Sequence, residues 1–103
     1  MRQAVLRVEE LPQGALDAAA AFHSDWLSRA REALRGSDAL AVLFAPAPYD
    51  HRGWRLAAVQ DLAREAAPKR VNAVASDDEQ AVAKTVDWLA QAPGITGQLL
   101  AVD

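Results

Sequence analysis

"ALAVLFA", residues 39–45, is apolar at every position. A strand with one face in water alternates apolar and polar residues. An unbroken apolar run of this length instead marks a strand covered on both faces, as in parallel sheets flanked by helices. The elements on either side agree with that reading. Upstream, Ala15 to Arg35 carries apolar residues at helical spacing: Ala15, Ala19, Phe22, Trp26 and Ala33 form one stripe, with Leu16, Ala20, Leu27 and Leu34 beside it. Gly36 ends this helix as a C′ glycine. The other face bears Asp17, Asp25, Arg31, Glu32 and Arg35, so the apolar arc is wider than the roughly 100° that packing on one sheet requires. Before the helix, "QAVLRV" (3–8) reads as a strand stopped by Glu9, Glu10 and Pro12.

Downstream, Asp50 is the expected N-cap of a second helix, whose buried positions are Trp54, Ala58, Val59, Leu62, Ala63 and Ala66. Pro68 stops it, because proline cannot continue the hydrogen-bond ladder. "RVNAVA" (70–75) is the third strand. Ser76, Asp77, Asp78 and Glu79 have the S-x-x-E form of a capping box, with Ser76 and Glu79 expected to satisfy free backbone donors. Val82, Val86, Leu89 and Ala90 form the buried face of the third helix, and "GQLLAVD" (97–103) is read as a last strand running to the chain end. The order β-α-β-α-β-α-β predicts an α/β fold: a small three-layer Rossmann-like sandwich of four parallel strands joined by right-handed crossovers. No linker, repeat or low-complexity tract divides residues 1–103, which are read as a single domain.

Composition narrows the function classes. Apolar residues make up 51% of the 103 and charged residues 24%, enough apolar surface to offset the entropy of ordering the chain. No segment nears about 18 uninterrupted apolar residues, and "MRQAVLRVEE" lacks the apolar run of a signal peptide, so a cytoplasmic, membrane-free location is expected. With no cysteine there is neither disulfide nor thiolate chemistry. A net charge of −3 and a pI near 5.3 argue against a nucleic-acid partner, which requires a basic face.

"LAREAAPKRVNAVAS" (62–76) followed by "WLAQAPGITGQLLAVD" (88–103) resembles the C-terminal half of short-chain dehydrogenase/reductases. In that family a helix ending in "LAxELAP" leads to "RVNAVAPG", and the chain closes with "ITGQxLxVDGG". The likeness covers residues 39–103 well and the first third weakly. It implies a Rossmann-like fold, and members more than twice this length in which an N-terminal half binds NAD or NADP and a Tyr-x-x-x-Lys pair moves the proton. This chain is expected to be a degenerate, truncated relative.

Both functional parts are testable by counting. A dinucleotide loop needs about three closely spaced glycines between the first strand and its helix. Of five glycines (Gly14, Gly36, Gly53, Gly94 and Gly97), only Gly14 stands there. Aligned on the helix that ends at Ala66, the family tyrosine falls on Pro48 and the lysine on Arg52. A shift of one residue recovers Tyr49 but puts Gly53 in the lysine position. The family serine, about a dozen residues before the tyrosine, has no counterpart either, since "RGS" (35–37) precedes the strand. Arginine, always charged and shaped as a flat fork, does not replace the lysine. No catalytic residue, no bound cofactor and no hydride transfer are therefore expected.

Other residues could carry chemistry. Tyr49, His51 and Arg52 lie at a helix start beyond a strand C-terminus, where open α/β sheets bind ligands, and form a candidate ligand or anion site. Against this, a lone histidine without a paired nucleophile or orienter also fits an N-cap with solvated neighbours. His23 falls on the apolar arc and is expected to be partly buried, hydrogen-bonded or at an interface rather than a ligand. Two histidines so far apart make no metal site, and Asp77, Asp78 and Glu79 suit the positive end of a helix dipole. Phe22, Trp26 and Trp54 are candidate interface residues, because the resemblance implies that helices at these places pair across a two-fold axis. The alternative is that they pack inside the monomer. The expected function is a non-catalytic interaction module, acting as a homodimer or with a larger protein partner. The alternative is a small-molecule-binding protein or accessory enzyme subunit that uses residues 45–52 and Ser76.

Overall fold

In the computed structural model, which describes residues 2–103, four strands form one sheet in the order β1 (Gln3–Arg7), β2 (Ala39–Phe44), β3 (Arg70–Ala75), β4 (Leu99–Ala101). All three pairings are parallel, as the uninterrupted apolar run requires. Strand β2 is buried at all six positions, and its period of two sorts the molecule into layers. Leu40, Val42 and Phe44 face one side, in register with Val71, Ala73 and Ala75 of β3. Ala41 and Leu43 face the other, level with Asn72 and Val74.

The first side is covered by two helical rods. One consists of α1 (Ala15–Ala21) and α2 (Leu27–Arg35), joined through a wide π turn at Phe22–Trp26 into one continuous helix. The other is α3 (Arg52–Ala66). Phe22, Ala30 and Leu34 of the first rod and Ala58, Val59 and Leu62 of the second share one core cluster with β2 and β3. The broad apolar arc of the first rod is thus explained. It packs on the sheet and also on α3, and Arg31 bridges to Glu65 with two bonds of 2.9 and 2.8 Å. Helix α4 (Glu79–Ala90) covers the second side, burying Val82 and Leu89 against Ala41, Leu43 and Val74. The outcome is the three-layer α/β sandwich read from the sequence.

Helix ends depart from expectation in detail. Gly36 sits at φ −100° and ends α2 without using a left-handed conformation. Asp50 does not cap α3. It lies within a 3₁₀ turn, Tyr49–His51, that runs straight into Arg52, so the backbone is already helical where a cap side chain would act. The cap of α4 is Asp78, not Ser76. The Asp78 carboxylate accepts from Gln80 N and Ala81 N at 3.0 and 3.2 Å, while Ser76 Oγ accepts from Asp78 N at 3.0 Å one turn earlier. A carboxylate accepting two backbone N–H groups at the positive helix end outcompetes a hydroxyl two residues further out. Glu79 instead reaches Arg7 at 3.1 Å.

The asparagine inside "RVNAVA" has a structural use. Asn72 is 2% exposed; its Nδ2 donates to Ile95 O at 2.9 Å and its Oδ1 accepts from Gln98 N at 3.0 Å. With Gly97 N donating to Val71 O at 2.7 Å, these bonds clamp the 95–98 loop to β3 and deliver β4 to the sheet. Gly97 takes φ +72°, which only glycine adopts freely. Strand β4 covers Leu99–Ala101, shorter than the segment 97–103 expected, because residues 97 and 98 are used in the clamp. Among the described residues, no helix is long and apolar enough to cross a membrane.

Candidate functional site

A parallel sheet with helices on both faces leaves its strand C-termini uncovered, since every crossover starts there and turns away. Here the segments after β1 (8–13), β2 (45–48) and β3 (76–77) surround an open cleft of about 800 Å³. Val8, Leu43 and Phe44 supply its apolar wall, with His51, Arg55 and Ser76 as buried polar groups. Glu10, at φ +60°, turns the β1–α1 segment along one side.

His51 is held at both ring nitrogens. Nε2 lies 2.8 Å from Gln13 O, and Trp54 Nε1–H donates to Nδ1 at 3.1 Å. Because the indole only donates and the carbonyl only accepts, the ring carries its proton on Nε2. It ties the 8–13 segment to α3 and has no nitrogen free for proton transfer.

Arg55 is the unusual group. It lies on the buried face of α3, four residues before Val59 and seven before Leu62, and is 7% exposed. Nη1 donates to Ala45 O at 2.9 Å, and the guanidinium lies 4.5 Å over the Phe44 ring and 5.8 Å from that of Trp54. Its Nε–H is buried with no acceptor. The ion pairs among the described residues (Arg7–Glu79, Arg31–Glu65, Arg35–Glu32 and Arg64–Asp61) all lie at the surface, and none includes Arg55. Burial pushes its pKa below the ordinary arginine value, yet a guanidinium stays protonated. The cleft wall therefore contains a desolvated cation without a counter-charge.

The structure separates the trio Tyr49, His51 and Arg52. His51 lines the cleft, whereas Tyr49 is 85% exposed outside it and Arg52 is exposed and not part of its lining. Ser76 does line the cleft. Phe22, a candidate for an interface, is wholly buried within the single chain, 5.8 Å from Phe44 and 5.5 Å from Trp54 between ring centroids. Trp54 is half-buried beside it, and Trp26 is half-buried under Arg29 at 4.5 Å. His23, expected on the apolar arc, is exposed and bonds only to Ala19 O one turn back; the π turn shifts the face it presents. No cluster of three metal-ligating side chains occurs among the described residues. Sequence reasoning missed Arg55. A basic residue inside the apolar stripe of α3 was the available signal.

Fold and site together define a small parallel α/β sandwich with a ligand-sized cleft at its strand C-termini. A family model described as short chain dehydrogenase-like protein matches residues 6–102, and the chain belongs to that family. No curated protein and no solved structure matches it.

Proposed function

We propose that this protein is a non-catalytic member of its family that binds a small molecule in the cleft. The observation that carries the reading is at the start of α3. Where the family resemblance places the proton-transferring tyrosine and lysine stand Pro48 and an exposed Arg52. The chain's one tyrosine, Tyr49, is 85% exposed outside the cleft. A proton donor must come within about 3 Å of the reacting oxygen; neither Tyr49 nor Arg52 lines the space where a substrate would sit, and Pro48, which does, has no proton to give. The cleft itself has the volume and the mixture of apolar wall and few polar groups typical of ligand sites.

Incubation with NADH or NADPH and a panel of ketones and aldehydes tests the first half. No nucleotide oxidation and no nucleotide-dependent thermal stabilisation are expected. Saturable binding of either nucleotide, or turnover, overturns the reading. For the second half, screening small organic molecules by amide NMR should move resonances at Val8, Phe44, Ala45 and Ser76.

A second reading is protein interaction through self-association, and one observation favours it. Trp88 on α4 is 55% exposed and lies with Leu99, Leu100 and Val102 in a shallow groove beside the edge strand β4. Sedimentation over a range of protein concentrations tests it, and a monomer at high micromolar concentration counts against it.

A further inference from the structure

The ligand-binding reading can be taken one step further, to a ligand class, and this step rests on that reading. We infer that Arg55 is an anion anchor and that the cleft takes a small organic monocarboxylate with an apolar body.

Three observations converge. The first is the missing counter-charge: Arg55 is 7% exposed, lines the cleft and has no carboxylate partner. Its Nε–H is buried without an acceptor. Buried charges in proteins are normally paired and hydrogen-bonded, because desolvation is otherwise uncompensated. The Ala45 carbonyl and the faces of Phe44 and Trp54 offset part of that cost with neutral groups only. A carboxylate lying against the guanidinium supplies the direct ion-pair partner that none of the cleft's own carboxylates provides.

The second observation sets the charge of the ligand. The cleft rim is acidic: Glu9, Glu10 and Asp77 are exposed there, and Glu79 is already engaged by Arg7 at 3.1 Å. Each negative charge beyond one would face these carboxylates with no further free cation lining the cleft. Phosphate esters and dinucleotides are disfavoured on that ground, and a monoanion is favoured. The third is the wall. Phe44 lies under the guanidinium, and Val8 and Leu43 line the same cleft, so an apolar surface is offered to the rest of the molecule.

Benzoate is the probe, with benzamide as its neutral isostere and inorganic phosphate as the alternative anion, all at constant ionic strength. Wild-type protein should bind benzoate saturably, by thermal shift and by amide NMR at Phe44 and Ala45, about 10- to 100-fold more tightly than benzamide. Arg55→Met keeps an unbranched apolar stem and removes a buried unpaired charge, so it should fold with unimpaired thermal stability yet bind benzoate no better than benzamide. Arg55→Lys should keep part of the preference. Equal benzoate affinity in wild type and Arg55→Met overturns the anchor, and phosphate binding as tightly as benzoate overturns the monocarboxylate class. Benzamide and benzoate perturbing the same cleft residues equally in both proteins overturns the anchor while leaving the cleft a binding site. No response of the wild type to any probe overturns the anchor.

Discussion

At the scale of single residues, the polar side chains that lie deepest do different work. Asn72 satisfies two loop groups at once, through one donated and one accepted bond, so its contribution is to stability. Asn72→Ala strands Gln98 N and Ile95 O where β4 joins the sheet, and should cost about 1–3 kcal/mol in urea denaturation, the range for buried polar groups left unpaired. An undiminished midpoint would show that water replaces the amide without loss. His51 is equally well satisfied, its ring bridging Gln13 O and the Trp54 indole. Arg55 breaks this pattern: it alone among the buried cleft groups described has a polar atom with no hydrogen-bond partner, which is why it, rather than the histidine, carries the functional argument.

Among the elements, the contact between α2 and α3 is set by an apolar seam and crossed at its surface by the Arg31–Glu65 fork. Hydrogen bonding to Arg31 holds the Glu65 carboxyl below the usual glutamate range. A carboxylate whose pKa is lowered by folding stabilises the native state above its unfolded pKa, and that contribution disappears as pH falls through the lowered native value. Glu65→Gln should therefore lower the neutral plateau of a thermal-stability profile slightly and converge with wild type in acid, giving a shallower acid limb, a small effect because exposed pairs contribute little. An identical acid limb in wild type and variant would show that the fork makes no contribution in solution. The order of elements was legible in the sequence because β2 is apolar at every position and each helix shows a clear stripe. Their ends were less legible. Ser76 and Asp78 both suit a cap, and only the backbone path after β3 decides that Asp78 reaches the first turn. The rule that ligands gather at strand C-termini pointed to the 45–52 segment and Ser76, of which residues 45–48, His51 and Ser76 line the cleft. Arg55 was passed over, because counting apolar residues along α3 skips a cation on the same stripe, and the helix start alone does not tell that Arg52 is exposed outside the cleft lining.

For the whole molecule, the four-stranded sheet leaves β1 and β4 as edges, and burial is uneven between the two faces. The face under two rods encloses Phe22 completely and Trp54 partly, so the aromatic residues first considered for an interface lie largely within the chain. The face under α4 has less cover, and there Trp88 remains 55% exposed beside β4. If self-association occurs through this patch, Trp88→Glu should abolish the concentration-dependent rise in sedimentation coefficient without lowering thermal stability, whereas Trp26→Glu should not abolish it. Association that survives Trp88→Glu would place the contact elsewhere. The wide turn at Phe22–Trp26 has a further consequence. It absorbs one surplus residue between α1, which packs on α3, and α2, which lies on the sheet, so the rod carries built-in slack. Loss of a residue there would be taken up by tightening to an ordinary spiral, whereas the same loss beside Ala30 would rotate everything after it off the sheet.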